Sequence, residues 1–151
     1  MKLISLLEKL EYTCLQGSTD QEVKNVIYDS RKVEEGSLFI CIRGAVVDGH
    51  KFVPDVVAKG AKVLIVEEAV EAPEDVTVIL VKDTRYAMAF ISAAYFGYPA
   101  EKLKTIGITG TKGKTTTTYM VKSILENAGY KVGLIGTIEA IIGDKVIPAK
   151  N

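Results

Sequence analysis

The residues that most clearly suggest a chemical function form a glycine-rich segment that ends in lysine and threonine: Gly110-Thr111-Lys112-Gly113-Lys114-Thr115-Thr116. Gly110 and Gly113 allow the backbone to curl so that successive N–H groups point at one anion. A helix that starts here adds unpaired N–H donors and the positive end of its dipole. Lys114 is placed to reach the β- and γ-phosphates of a nucleotide, and the Thr115 hydroxyl to ligate Mg²⁺. The segment predicts a phosphate-binding loop, with ATP as the expected nucleotide.

The loop departs from the general pattern G-x-x-x-x-G-K-[ST], because that pattern requires glycine where this chain has Ile108. The dinucleotide fingerprint is also absent, since Gly107, Gly110 and Gly113 recur with a period of three. The alternative is a glycine-rich turn that only connects a strand to a helix. However, the threonines at 115–118 are poor helix formers, and a lysine at a helix N-terminus is unfavourable without an anion. These features favour a binding loop.

Two kinds of segment alternate along the chain and must position this loop. Apolar runs of strand length are separated by segments with helical periodicity. The predicted strands cover 25–29, 37–43, 62–66, 77–81, 104–108 and 131–135. The predicted helices cover 2–11, 52–59, 84–96 and 115–128. This alternation predicts an α/β protein with largely parallel strands, in which strand 104–108 leads into the loop.

A break at Gly97-Tyr98-Pro99 predicts a domain boundary. We expect one domain over 1–98 and a second that starts at 99 and continues to 151. The second contains one strand–loop–helix–strand unit, 104–135, which cannot bury both faces of its sheet. The sequence is therefore interpreted as the N-terminal piece of a longer enzyme.

Composition limits the classes of partner. The 151 residues include 19 Lys plus Arg and 19 Asp plus Glu, so the formal charges balance. Such a balance gives no broad attraction to nucleic acid or to an anionic membrane. The spacing in 2–11 indicates an amphipathic helix rather than a signal peptide, so a cytoplasmic location is expected. Cys14 and Cys41 are too few for a disulfide framework, and Cys41 is expected in the core.

Motifs along the whole chain resemble those of the Mur ligases. Residues 107–117 are similar to the ATP loop of that family, usually GTNGKTT, with Lys112 in place of the usual Asn. Residues 28–39 resemble its D-S-R…G-D-L-F signature, and residues 48–52 follow at the familiar place. A later pattern is similar to that of the tripeptide-synthetase (MurE) type: Gly136-Thr137-Ile138, Gly143, Pro148 and Asn151.

The resemblance implies a small UDP-sugar-binding α/β domain followed by the first strand–loop–helix–strand unit of a central ATPase domain. It implies an ATP-dependent amide ligase of peptidoglycan synthesis. That enzyme adds meso-diaminopimelate or L-lysine to UDP-N-acetylmuramoyl-L-alanyl-D-glutamate through an acyl phosphate. ATP and Mg²⁺ are the implied cofactors, and neither nucleic acid nor membrane is an expected partner.

The resemblance also assigns roles within the phosphate loop. It places ATP on residues 110–116, with Lys114 as the catalytic residue and Thr115 as the metal ligand. Lys112 either contacts phosphate or is solvated, and both interpretations stay open.

A second set of roles concerns the UDP-sugar. Tyr28 and Ser30 are expected at its uracil or ribose end, and Asn151 at the muramoyl part. Ala45, Val46 and Val47 match a loop that touches the same nucleotide. From the residues alone, Asp29-Ser30-Arg31 can equally be a plain turn after a strand.

Three other features have a structural interpretation. His50 is the only histidine and is expected to hydrogen-bond locally in a loop, although an acid–base role is the alternative. The acidic run over 67–75 is expected to be a solvated loop and not a metal site. Four aromatic residues on the predicted helix 84–96 are expected to pack mostly in the core: Tyr86, Phe90, Tyr95 and Phe96.

Besides the tripeptide-synthetase type, other functions remain as alternatives. In one alternative, the chain alone is a non-catalytic UDP-sugar and nucleotide-binding module. In another, it is part of the MurF-type ligase of the same family. A small P-loop kinase or switch GTPase requires an acidic residue at the end of the next strand. Residues 131–151 lack that feature, which disfavours this class.

Overall fold

The computed structural model describes residues 1–44 and 47–149. The chain divides into two compact units, one that ends at Leu103 and one that begins at Lys104. The first contains α1 (Leu3–Leu6), β1 (Tyr12–Gln16), β2 (Asn25–Ile27), β3 (Ser37–Ile40), α2 (Val53–Ala58), β4 (Val63–Val66), β5 (Thr77–Val81) and α3 (Thr84–Tyr95). The second contains α4 (Lys114–Asn127), β6 (Gly133–Ile135), β7 (Glu139–Ile142) and β8 (Lys145–Pro148). Within the described residues, no helix is long and apolar enough to cross a membrane.

The first unit is built on a five-stranded sheet in the order β1-β5-β4-β3-β2. Strands β2 to β5 run parallel, and β1 pairs antiparallel with β5 at one edge. Strands β3 and β4 are buried at every position, and both are apolar runs apart from Ser37 at the start of β3. Such runs are typical of parallel strands that are covered on both faces.

Helices cover both faces of this sheet. On one face α1 and α3 pack against residues such as Leu38, Ile65 and Ile79. On the other face α2 packs against residues such as Phe39 and Leu64. Alternate residues of β3 and β4 therefore belong to different cores, as the two-residue period of a strand requires.

Capping residues determine where α3 begins and ends. The Asp83 carboxylate accepts hydrogen bonds from the backbone N–H groups of Arg85 and Tyr86, at 2.8 and 2.9 Å. An acidic N-cap of this kind satisfies amides that have no partner inside the helix. Gly97 ends the helix with φ of 71°, a left-handed conformation that favours glycine.

The second unit has much less buried surface. Its three strands form an antiparallel sheet in the order β6-β7-β8. Helix α4 contains no buried residue. Within residues 104–149, Leu134 is the one buried hydrophobic residue.

Several sequence predictions need correction. The predicted strand 104–108 is wrong, because this apolar run pairs with no strand among the described residues and Ile106 is largely exposed. The predicted helix 2–11 is reduced to α1, since the chain turns at 7–10 to enter β1. Strands β1, β7 and β8 were not predicted. Parallel pairing is confirmed in the first unit, but the second sheet is wholly antiparallel.

Candidate functional site

The phosphate loop and the start of α4 form an open cluster of backbone donors. Gly113 precedes the helix with φ of 77°, and no side chain caps the helix N-terminus. The Thr117 amide is the one that bonds back to the Gly113 carbonyl, at 2.9 Å. The amides of the first turn before it therefore have no helical acceptor. No acidic residue lies in this turn, so the local potential favours an anion.

Glycine is needed at position 113 for its backbone conformation. A side chain placed there would meet nothing within 4 Å, so space does not restrict the residue type. The positive φ does, because it is costly for residues that carry a Cβ.

Lys114 closes the loop on itself. Its ammonium Nζ donates to the Gly110 carbonyl at 2.8 Å. The Thr118 hydroxyl donates to the Lys114 carbonyl at 2.5 Å, one turn along the helix. The bond to Gly110 holds the lysine side chain over the loop, where an anion on the free amides would lie within its reach.

The residues present fit a divalent cation beside such an anion. Within the described residues the Thr115 hydroxyl makes no hydrogen bond, and it lies in the first turn of α4. A hydroxyl oxygen is a suitable Mg²⁺ ligand when phosphate oxygens supply others. Thr111, Lys112 and Thr116 are exposed, so they are available to a ligand.

Tyr28 and Ser30 lie just beyond the carboxyl end of β2. The intervening Asp29 caps a short 3₁₀ turn, and its carboxylate accepts two hydrogen bonds from the Arg31 guanidinium, both at 2.8 Å. These bonds lower the pKa of Asp29 to about 2. The Ser30 carbonyl accepts a bond from Lys59 Nζ at 3.1 Å. The plain-turn interpretation is thus correct for the backbone, and the turn leaves the Tyr28 ring exposed to solvent.

His50 is nearly buried, and both of its ring nitrogens are engaged. Nδ1 lies 2.6 Å from Asp48 Oδ1, and Nε2 accepts a hydrogen bond from the Glu67 amide at 3.0 Å. The prediction of a local partner is confirmed for Asp48, but the contact with Glu67 was not predicted. Since neither nitrogen is free, the acid–base alternative has no support.

The prediction that the acidic run over 67–75 is solvated is confirmed for Glu68, Glu71, Glu74 and Asp75, which are exposed, but it is wrong for Glu67, which is half-buried. The Glu67 carboxylate accepts bonds from the Thr84 amide and hydroxyl at 2.8 and 2.7 Å, which lower its pKa. Glu68 pairs with Arg43 at 2.8 Å, and Asp75 pairs with Lys62 at 2.5 Å. The position of Glu67 directly after a buried strand was the signal that could have identified it.

Among the aromatic residues of the predicted helix 84–96, the core prediction is wrong for Tyr86 and Phe96, which are mostly exposed, and Phe90 is half-buried. Tyr95 does pack against the core. Cys41 is fully buried, as predicted, and burial followed by the nearby charge of Asp48 raises the pKa of its thiol to about 12. The predicted positions Ala45, Val46 and Asn151 lie outside the described residues.

Comparison with known proteins gives consistent matches along both units. Residues 22–96 match the family model described as Mur ligase family, catalytic domain, and residues 108–150 match the Mur ligase middle domain. A UDP-N-acetylmuramoyl-L-alanyl-D-glutamate--2,6-diaminopimelate ligase of Clostridium perfringens is 53% identical over 99% of this chain and 31% of its own length. The Clostridium tetani protein of the same name is 48% identical over 100% of this chain and 32% of its own. The chain thus spans about a third of the length of these relatives.

Solved structures give the same picture. MurF from Acinetobacter baumannii superposes with a TM-score of 0.67 at 35% identity, covering 83% of this chain and 27% of its own. MurF ligase from Thermotoga maritima in complex with ADP superposes with a TM-score of 0.52 at 26% identity. The match covers 70% of this chain and 24% of that ligase. A UDP-N-acetylmuramoyl-L-alanyl-D-glutamate--2,6-diaminopimelate ligase superposes with a TM-score of 0.74 at 23% identity. The match covers 98% of this chain and 30% of that ligase, and it supports the fold alone. The α/β fold class predicted from the sequence is confirmed.

Proposed function

Because this chain belongs to the Mur ligase family, we propose that it supplies the ATP loop and part of the UDP-sugar site of an ATP-dependent amide ligase. The substrate proposed is UDP-N-acetylmuramoyl-L-alanyl-D-glutamate, and the amine donor is a diamino acid. The resemblance inferred from the sequence motifs is confirmed by the two domain matches. Activity and substrates of the whole protein are inferred from relatives about three times as long.

The observation that carries the proposal is the geometry of the phosphate loop. Free amides at the start of α4, the left-handed Gly113 and the folded Lys114 side chain together suit a polyphosphate. The ADP complex of the Thermotoga maritima relative supports an adenine nucleotide. Thr115 would hold Mg²⁺, which neutralises charge on the phosphates when it is bound.

The chemistry suits a carboxylate substrate. A carboxylate is a poor electrophile, and phosphorylation by ATP turns one of its oxygens into a leaving group for attack by an amine. In this chain the role of Lys114 is to stabilise the negative charge that develops on the transferred group. The role of residues 110–116 is to orient the phosphates, since positioning and electrostatic stabilisation together account for almost all of catalysis in phosphoryl transfer.

The names of the curated relatives favour 2,6-diaminopimelate as the third residue over lysine. One observation favours a second candidate, the MurF-type ligase, since the Acinetobacter baumannii structures are 35% identical. The higher identity and nearly complete coverage of the diaminopimelate ligases support the tripeptide-synthetase type. Titration of the chain with UDP-N-acetylmuramoyl dipeptide and tripeptide separates the two, because only the accepted precursor should bind tightly.

The ATP site is tested by replacing Lys114 with methionine and measuring MgATP binding by calorimetry. Loss of one charge-assisted contact should weaken binding by roughly tenfold or more. Lys122→Met is the matched control, since it removes the same charge from α4 at a residue paired with Glu126. Equal affinities for the two variants would count against the loop as the ATP site. Amide formation by residues 1–151 alone would exclude the purely binding-module alternative.

A further inference from the structure

The side chains that follow β3, β4 and β5 are joined in one hydrogen-bonded network, here called the rim network: Arg43, Asp48, His50, Glu67 and Thr84. Parallel strands place their carboxyl ends at one edge of a sheet, and ligands of open α/β sheets bind beyond that edge. Tyr28 and Ser30 follow β2 at the same edge. The rim network is therefore part of the edge that is proposed to receive the UDP-sugar.

His50 is the link between two strand ends. Its Nε2 must be an acceptor, because its partner is the Glu67 amide at 3.0 Å. Nδ1 therefore carries the proton and donates to Asp48 Oδ1 at 2.6 Å. This pairing fixes one tautomer and one ring orientation. Glu67 in turn bonds to Thr84 at the start of α3, so the imidazole, together with the Arg43–Glu68 ion pair at 2.8 Å, connects the segments that follow β3, β4 and β5.

The described residues next to this link are Arg43-Gly44 and Val47-Asp48. Arg43 and Asp48 form an antiparallel bridge, and the Gly44 amide donates to the Val47 carbonyl at 3.0 Å. Beside these residues, the Gly49 amide donates to the Ile42 carbonyl at 2.8 Å, and a Cβ on Gly49 would lie 2.7 Å from Ile42 backbone atoms. Backbone hydrogen bonds thus hold the described residues on both sides together, and Val47 is half exposed.

A metal site does not explain the cluster. Single ligand atoms of Asp48, His50 and Glu68 lie within 4.8 Å of one another. However, the Arg43 guanidinium pairs with Asp48 at 3.2 Å and with Glu68 at 2.8 Å. With a cation already between the carboxylates and both His50 nitrogens engaged, the cluster presents no free ligand set.

We propose that His50 is a positioning residue for nucleotide-sugar binding, acting through its hydrogen bond to the Glu67 amide. This bond holds Asp48, its bridge partner Arg43 and the half-exposed Val47 at the edge that is proposed to receive the UDP end of the substrate. The inference rests on the proposed function. The Asp48 contact is local, two residues away, whereas the Glu67 contact ties His50 to the end of the central strand β4.

Two substitutions separate the contacts. His50→Gln places an amide oxygen near the position of Nε2, so it can accept from Glu67 while losing Asp48. His50→Asn reaches the position of Nδ1, so it can donate to Asp48 while losing Glu67. Calorimetry of the 151-residue chain with UDP-N-acetylmuramoyl-L-alanyl-D-glutamate should show about tenfold weaker binding for His50→Asn. His50→Gln should stay within about threefold of the unmodified chain.

Two controls exclude a general loss of stability. MgATP affinity should be the same in all variants, because the phosphate loop belongs to the second unit. Leu6→Ala, in the core formed by α1 and α3, should lower the Tm without changing the affinity for the UDP-sugar. Equal UDP-sugar affinity for His50→Asn and the unmodified chain would overturn the inference alone. No UDP-sugar binding by the unmodified chain would overturn the proposed function and this inference together.

Discussion

The candidate sites of the two units are formed by different kinds of contact. In the first unit, the rim depends on side chains far apart in sequence, such as His50 and Glu67, and on a sheet buried on both faces. In the second, the phosphate loop depends on the local conformation of Gly110 and Gly113, and α4 buries no residue. Local backbone geometry needs little surrounding core, whereas a network across strand ends needs a rigid sheet. The comparison can be tested by making equivalent changes in both units.

The largest contrast is expected for isoleucine-to-alanine substitutions in the two sheets. Ile65 is fully buried on the central strand β4, while Ile135 on β6 is 85% exposed. Ile65→Ala should reduce the free energy of unfolding by roughly 2–5 kcal/mol, through lost burial and the cavity that remains. Ile135→Ala should change it by less than about 0.5 kcal/mol. Urea unfolding followed by circular dichroism measures both, and comparable losses would contradict the assigned burial.

A smaller contrast is expected for two left-handed glycines. Gly17 has φ of 81°, and a Cβ there would lie 2.2 Å from Thr77 Oγ1; Gly129 has φ of 87° and nothing within 4 Å. Gly129→Ala should lower the free energy of unfolding by about 1–2 kcal/mol, the cost of a left-handed conformation for a residue with a Cβ. Gly17→Ala should lose roughly 1–3 kcal/mol more, because the methyl group must displace Thr77. Scanning calorimetry gives the two Tm shifts, and a larger shift for Gly129→Ala would refute this order.

The smallest effect is expected for the loss of stability at acid pH that depends on Asp48. Hydrogen bonds from the His50 amide and imidazole, with a contribution from Arg43, lower the pKa of Asp48 from 3.8 to about 2. A carboxyl group whose pKa is lowered by folding stabilises the folded state above pH 3.8, and that stability is lost as the pH falls towards 2. Asp48→Asn should therefore flatten the fall in urea midpoint between pH 5 and about 2. Asp144→Asn, an exposed carboxylate of the second unit, should keep the slope of the unmodified chain.

The sequence predicted what depends on local pattern. Strand β5 has the bounds that its apolar run predicted, and α3 ends one residue earlier than predicted, next to Gly97. Strand 104–108 was wrong because an apolar run becomes a strand only when another strand pairs with it. Strand β1 is largely exposed and has no buried face to mark it, so only its pairing with β5 identifies it. The β7–β8 hairpin did carry a signal, since Gly143-Asp144 separates two apolar runs.

In the candidate sites too, the sequence predicted the features set by local pattern and missed those set by tertiary contacts. The loop glycines and Lys114 were identified from type and spacing, and the structure gives them the backbone geometry that those residues favour. Their roles toward ATP stay predictions. The rim network was missed, because Glu67 and His50 are 17 residues apart and only the parallel sheet brings them together. Spacing along the chain carries no information on such a pair until strand order is known.

The antiparallel pairing of β1 with β5 has a consequence for how the protein is made. Tyr12 pairs with Val81, so the first strand of this sheet to be synthesised cannot pair until the last one has left the ribosome. Domains generally fold as units during synthesis, at about 5–20 residues per second. The N-terminal segment is therefore exposed for several seconds on the nascent chain before its partner emerges. Factors that bind nascent chains have that interval in which to engage Leu3, Leu6 and Leu7, which are buried once the sheet closes.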